Sequence, residues 1–441
     1  MFPNRARRAQ ILTIALPIVG GMVSQTIVNL VDTAMVGVLG DAALAAANLG
    51  GFANWLAMAF ITGLATGVQA MAARRNGEGN THEQAVPLNG GLLQAVALAL
   101  PLSALVYALT PQLFPLLIDD PEVIELGVPY LRTRLCAMAF VAMNFAFRGY
   151  FNGVSLSRLY MSTLIVMHVS NVALNWVLIF GNLGAPAMGV RGAAMASSIS
   201  AAIGTLTYVA LAYKHARACG FLGRLPSREV MLNMAKLAVP SGVQQLFFAG
   251  GMVAFSVIVG LIGTAELAAT GVIMNLVLVA ILPALGYGLA ATSLVGQALG
   301  RGDVDDARAW GWDVSKIAVA TLLVISLPGI VTPDLLLGLF LRDPETLALA
   351  RLPLRIIACG VCFDGIGLVL LNAHFGAGDA RTVMVVSVTT QWLVLLPVAY
   401  IAGPVLGGGI VAVWLAQAGY RALQTGIFAV SWARGRWVRD V

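Results

Sequence analysis

Roughly twelve long apolar stretches follow one another along this chain, and they leave it little choice of fold. The hydrocarbon core of a bilayer is about 30 Å thick and takes about 20 apolar residues per helical crossing. Backbone N–H and C=O groups find no water there, so each stretch must close its hydrogen bonds within a helix. The stretches run near 11–37, 44–70, 90–110, 130–151, 159–180 and 192–213. A second set runs near 236–261, 267–297, 314–333, 352–374, 382–402 and 409–431. Of 441 residues only 10% are charged, against roughly 25% in a soluble domain, which excludes a soluble enzyme. No GxxxxGK[ST] loop is present, so ATP-driven pumping by this chain is not expected. The expected fold class is an all-α polytopic membrane protein with twelve transmembrane helices.

The net charge of +6 reads as membrane topology, because no basic face or aromatic-basic module for nucleic acid accompanies it. With both termini cytoplasmic, most basic residues fall inside, among them Arg5, Arg7, Arg8, Arg74, Arg75, Lys214, Arg217, Arg224, Arg434, Arg436 and Arg439. Few fall outside, such as Arg132, Arg191, Arg342 and Arg351. This positive-inside bias requires an even number of spans. The run after Arg8 is too long for a signal peptide and is expected to stay as the first span. Cys359 and Cys362 have CxxC spacing but lie in an apolar helix without a second ligand pair. They are expected to be small core residues.

The two halves of the chain match each other. Ala15-Leu16-Pro17 recurs as Ala238-Val239-Pro240, Asp120-Pro121-Glu122 as Asp343-Pro344-Glu345, and Arg132 as Arg355. The displacement stays near 223 residues, as in duplicated transporter folds. Six spans per half start each half on the same side, so two six-helix lobes are expected about a pseudo-two-fold axis along the membrane normal, with a cavity between them. The expected divisions are an N-lobe over 1–213, a basic cytoplasmic linker over 214–236 and a C-lobe over 237–441.

Ionisable groups within spans carry the functional reading. A charge within the bilayer costs roughly 2.5–3.5 kcal/mol on insertion scales, so such residues usually face protein or water and serve transport. Asp32, near the end of the first apolar stretch, is the leading candidate for a coupling site. His168, Asn171 and Asn175 are spaced i, i+3, i+7 and share one face of the fifth span. Asp364 in the tenth span is the second buried acid, and Gln244, Gln245, Asn275 and Gln391 add polar surface to the C-lobe. Asp364, Gln244, Gln245, Asn275 and His168 are therefore candidate substrate contacts. The intramembrane charges placed in this way, Asp32 and Asp364, are both acidic and favour cationic cargo.

Several ordered motifs resemble the multidrug and toxic compound extrusion (MATE) family, in a form with NorM- and DinF-like features. Val31-Asp32-Thr33-Ala34-Met35-Val36-Gly37 is similar to the family's VDT-x-x-x-G signature, and Gln69-Ala70 and Val295-Gly296-Gln297-Ala298-Leu299-Gly300 to the cytoplasmic ends of spans two and eight. Arg148-Gly149-Tyr150-Phe151-Asn152-Gly153 resembles the end of span four. Asn171 to Gly181 resembles span five and Gly189 to Ala194 the start of span six. The resemblance implies an antiporter, not an enzyme, that exports amphipathic, often cationic compounds and imports protons or sodium. It also implies an N-lobe polar cluster of Asp32, Asn171, Asn175 and Ser197. Asp is common in the family where this chain has Asn175, and a NorM-type Glu in span seven is replaced by apolar Phe248 or Ala249. One acid among amides suits a proton better than sodium. The expected protein is an inner-membrane monomer of bacterial type, with small organic substrates, no cofactor, no nucleic acid and no obligate protein partner. Alternatives are a lipid-linked precursor flippase of the same superfamily and an uptake symporter.

Overall fold

The computed structural model describes residues 2–341, 343–435, 437 and 438. Arg342, Arg436 and Arg439, which entered the charge bias, lie outside the described residues. Among those described, the regular structure is helical and no strand occurs. The first half contains α1 (Arg5–Gly37), α2 (Asp41–Ala59), α3 (Gly63–Gly77), α4 (Val86–Leu113), α5 (Pro121–Cys136), α6 (Met138–Gly153), α7 (Ser157–Phe180) and α8 (Gly189–Ala216). The second contains α9 (Arg228–Gly260), α10 (Thr264–Gly300), α11 (Val304–Val331), α12 (Pro333–Leu337), α13 (Pro344–Ala377), α14 (Ala380–Thr389), α15 (Leu396–Tyr400) and α16 (Gly409–Ala433). Twelve crossings result. The second is α2 with α3, broken at residues 60–62, and the fourth is α5 with α6, broken at Ala137. The eleventh runs from α14 through a π-helical turn at Thr390–Leu395 into α15 and a second π turn at Ile401–Val405. Pro397 and Pro404 withhold backbone donors in this segment, so the regular i→i−4 ladder cannot continue unbroken.

Helix starts follow local chemistry, and they repeat. Asp120 caps α5 by accepting the Glu122 N–H at 2.9 Å, and Asp343 caps α13 by accepting from the Thr346 N–H at 2.9 Å and its hydroxyl at 2.6 Å. Each cap precedes a proline at the first helical position, where a missing N–H costs nothing. The paired Asp-Pro-Glu connectors of the internal repeat are therefore helix starts. Close packing repeats as well. A Cβ on Gly153 would lie 2.7 Å from the Gln69 carbonyl oxygen, and one on Gly376 would lie 2.4 Å from that of Thr292. Both pairs are displaced by the same repeat, so each half uses a glycine to bring the same two crossings into backbone contact.

Contacts divide the chain into two compact units, residues 20–242 and residues 2–19 with 243–438. The expected divisions, with the N-lobe ending at 213 and the C-lobe starting at 237, fall within α8 and α9. The start of α1 is held in the second unit by Arg7. Its guanidinium lies 2.6 Å from Asp306 and 2.8 Å from Asp313, and it stacks 3.7 Å over the Trp310 ring. The early turns of α9 stay with the first unit, where Gln94 donates to the Met231 carbonyl at 3.0 Å and Ser241 bonds Thr66 at 3.1 Å. The non-helical link shortens to residues 217–227. It is pinned to α4 by Asn89, which donates to the Gly220 and Arg224 carbonyls at 2.9 and 2.8 Å.

Each unit has its own apolar core. Met58, Leu64, Phe114, Leu131, Leu135 and Met138 pack together in the first unit, and Phe255, Ile273, Leu354, Leu395, Trp414 and Tyr420 in the second. The cysteines depart from expectation. Cys359 and Cys136 are exposed and Cys362 is half-buried, because apolar groups on a bilayer-spanning bundle can face outward as easily as inward.

The Asp343 cap yields a test. Its bonds to Thr346 hold the carboxyl below the ordinary aspartate value. The depressed folded value means that its stabilisation is present above the unfolded pKa and fades as pH falls through the folded one. Asp343→Ala should therefore lower the melting temperature at pH 7 and lose that effect in acid, measured by thermal scans of purified protein across pH.

Candidate functional site: a polar seam in the first unit

The polar residues of α7 face α1 on one side and α8 on the other. His168, Asn171 and Asn175 are 7%, 4% and 0% exposed, so the i, i+3, i+7 face is buried as its spacing predicts. Asn175 donates through Nδ2 to the Asp32 carboxylate at 2.5 Å and to Asn171 Oδ1 at 3.3 Å. Asn171 in turn donates to Ser197 Oγ at 3.3 Å. The four residues expected to form the N-lobe cluster are thus joined in one hydrogen-bonded chain across α1, α7 and α8. Asp32 itself is half-buried. The side-chain oxygen of Asn175 is buried without a hydrogen-bond partner, an unmade bond that costs free energy and holds acceptor capacity at the seam.

His168 belongs to this seam and not with the residues of the second unit among which it was grouped. Ser24 bonds its Nδ1, and Nε2 lies 3.2 Å from Gln25 Oε1. A neutral imidazole satisfies both contacts, with Nε2–H donating to Gln25 and Nδ1 accepting from the Ser24 hydroxyl. Gln25 passes the chain on to Asn29 Oδ1 at 3.0 Å. Gln25, Asn29 and Asp32 are spaced i, i+4, i+7, so α1 carries its own polar stripe. Sequence reasoning missed that stripe, although the spacing rule that selected the α7 face would have found it.

The expectation that only acids lie within the spans is corrected at two places. Arg134, in the last turn of α5, lies within electrostatic range of Asp32. Arg421 of α16 sits with its Nε 3.3 Å from Asp364, with side chains 14% and 9% exposed. A carboxylate buried in an apolar bundle needs a counter-charge, and Arg421 supplies it. The signal was available, since Arg421 is an ionisable residue inside an apolar run, as Asp32 is.

The other candidates of the second unit do not gather at Asp364. Among the described residues no hydrogen bond joins Gln244, Gln245 or Asn275 to it. Asn275 is exposed and donates to the Gly271 carbonyl of its own helix at 3.0 Å. Gln391 sits in the first π turn and donates to the Phe248 carbonyl at 3.3 Å. It crosslinks α9 to the eleventh crossing.

Comparison with known proteins agrees with this architecture. A protein from Pseudomonas aeruginosa described as a probable multidrug resistance protein NorM is 28% identical over 429 residues, covering 95% of this chain and 87% of its own. One from Photobacterium profundum, described as multidrug resistance protein NorM, is 25% identical over 408 residues, covering 91% and 89%. A solved structure described as the outward-facing conformation of a multidrug resistance MATE family transporter superposes with a TM-score of 0.89 at 21% identity, covering 98% of this chain and 96% of that one. A Pyrococcus furiosus transporter of the MOP superfamily, described as having a binding pocket of reverse polarity, superposes with a TM-score of 0.87 at 21% identity, covering 98% and 96%. At that identity these structures speak for the fold, a bundle of twelve spans in two six-helix lobes. The MatE family model matches residues 17–177 and again 240–401. The two matches begin at the paired prolines of the internal repeat, Pro17 and Pro240. With its twelve spans, duplicated halves and family match over most of its length, this chain belongs to the MatE family of multi-pass membrane transporters and is not an enzyme.

Proposed function

We propose that this chain is a secondary antiporter of the bacterial inner membrane that exports amphipathic organic compounds in exchange for protons, by alternating access of its two lobes. The observation that carries the reading is the Asp32–Asn175 bond at 2.5 Å within the chain that continues through Asn171 to Ser197. Asn175 meets the carboxylate with its N–H and not with its oxygen. That arrangement steadies an ionised Asp32, and a single acid among amides suits a proton better than sodium, so the exchangeable ion favoured is a proton. When Asp32 is protonated, the charge assistance in the Asn175 bond is lost. Asp32 then favours a different arrangement of α1, and cargo that prefers the ionised form is exchanged for the proton.

The names of the NorM relatives support multidrug cargo. A single half-buried acid favours cargo that carries positive charge, although Arg134 nearby tempers that field. Both termini are assigned to the cytoplasm on the positive-inside bias. The transporter acts as a monomer and needs no cofactor. A flippase of lipid-linked precursors would need unpaired guanidinium groups for phosphates, and Arg421 is already committed to Asp364.

Everted vesicles with an acidified lumen and a pH dye test the coupling. Addition of ethidium should release lumenal protons in sodium-free buffer, and a sodium gradient should add nothing. Exchange that runs only on a sodium gradient would overturn the assignment.

A further inference from the structure

The link over residues 217–227 is held in one shape against the start of α4. Asn89 donates to the Gly220 and Arg224 carbonyls and accepts the Leu222 N–H at 3.1 Å, and the Ala85 N–H donates to the Cys219 carbonyl at 3.0 Å. Phe221 points inward, buried edge-on to Phe147 with ring centres 6.2 Å apart. Leu222 turns the other way. Its backbone takes a left-handed φ of +54° and its side chain is 69% exposed, and Leu225 is 87% exposed. The left-handed region disfavours a bulky side chain, and glycine or asparagine would hold the same turn with less strain. A leucine turned outward from such a turn is an advantage only where apolar surroundings receive it.

Charge says what those surroundings are. Residues 214–228 contain Lys214, Arg217, Arg224 and Arg228 and no acid, and all four cations are exposed. Arg224 is paired with Glu83 at 2.9 Å, whereas Arg217 donates to the Tyr213 hydroxyl. Among the described residues, no carboxylate pairs with Lys214, Arg217 or Arg228. Exposed apolar positions spaced by seven lead to the link from both sides, Leu206 and Tyr213 on α8 and Leu232 and Val239 on α9. Tyr213 beside Lys214 repeats the order of groups found where a helix leaves a bilayer, an aromatic followed by a cation. The topological bias accounts for the cations and not for the leucines. Apolar groups that enter a leaflet beside cations that meet its phosphates account for both.

We propose that this link is a lipid-binding loop. Leu222 and Leu225 enter the headgroup region of the adjacent leaflet, and Lys214, Arg217 and Arg228 hold the phosphates of phospholipids with a net negative headgroup. The loop lies wholly within the first unit, apart from the Asp32 seam, and its lipid binding does not depend on the transport reading.

The test places an NBD fluorophore at Leu225→Cys in the full chain, with Cys136, Cys219, Cys359 and Cys362 replaced by alanine, in nanodiscs of phosphatidylcholine with or without phosphatidylglycerol. Phosphatidylglycerol should shift the emission to the blue and allow quenching by nitroxide-labelled lipid, and salt should weaken both. Replacing Lys214, Arg217 and Arg228 together by glutamine should lower the affinity for phosphatidylglycerol about fivefold for each cation, roughly a hundredfold in all. Leu222→Gly suits the left-handed turn, so it should leave thermal stability in detergent intact and still reduce the quenching, which a purely structural leucine would not do. Should the labelled chain not fold, native mass spectrometry of the unaltered protein and the triple variant decides, with less phosphatidylglycerol retained by the variant. Equal emission in the two lipids, no quenching, or equal retention by the two proteins would each overturn the proposal.

Discussion

Asp32→Asn is expected to reduce proton-driven efflux by about 5–150-fold, the range of a typical coupling free energy between two ligands. The substitution keeps the shape of the side chain and a hydrogen-bonding partner for Asn175, so folding and membrane insertion should be preserved. What it removes is the exchangeable proton. Asn175→Ala keeps the carboxylate but strips away its 2.5 Å donor. A hydrogen bond to a charged group is worth about 1.5–3 kcal/mol, so this variant should still transport, with a changed dependence on pH. Dye efflux from vesicles at several pH values separates the two. A fully active Asp32→Asn protein would remove Asp32 from the mechanism.

The second large effect concerns stability. Arg421→Leu leaves Asp364 buried without its counter-charge, and breaking one side of a buried ion pair costs about 3–5 kcal/mol. Combining it with Asp364→Leu replaces both partners by apolar groups, a change that is often near neutral. Thermal unfolding of the purified single and double variants should therefore be strongly non-additive, with the double variant more stable than Arg421→Leu alone. Additive losses would show that the two side chains act independently.

Much of the fold could be read before any coordinates were known. The apolar stretches placed twelve crossings because bilayer thickness admits few other solutions, and the repeat recurs in the paired caps Asp120 and Asp343 and the paired glycines Gly153 and Gly376. The breaks within crossings were not legible. The interruption at Ala137 and the π turns around Gln391 leave hydropathy unchanged, since they alter hydrogen-bond register and not composition. Lobe boundaries set by loops missed the residues of α1 that Arg7 ties to Asp306 and Asp313. That tie is a tertiary contact across most of the chain, and no local pattern encodes it.

The candidate site shows the same division. Asp32 and the α7 face were legible because ionisable and amide groups are expensive within a membrane and follow helical spacing. Their connection to Ser197 came through the family resemblance, and the structure joins it to Asn171. The cations were overlooked. Arg134 and Arg421 entered neither the topological charge pattern nor the set of ionisable residues inside spans, although the reasoning that singled out Asp32 applies equally to a guanidinium inside a span. Their presence alters the electrostatics of both units, most of all at Asp364, where Arg421 already supplies a counter-charge.

The central claim is that proton and cargo exclude each other through the Asp32 carboxylate. The most direct measurement is proton release from purified protein in weakly buffered detergent on addition of a cationic substrate such as ethidium, compared with Asp32→Asn. The account predicts a saturable release of protons from the unaltered protein near the pH where it transports best, and none from the variant. Ethidium binding of equal strength to both proteins, with no protons released by either, would contradict it.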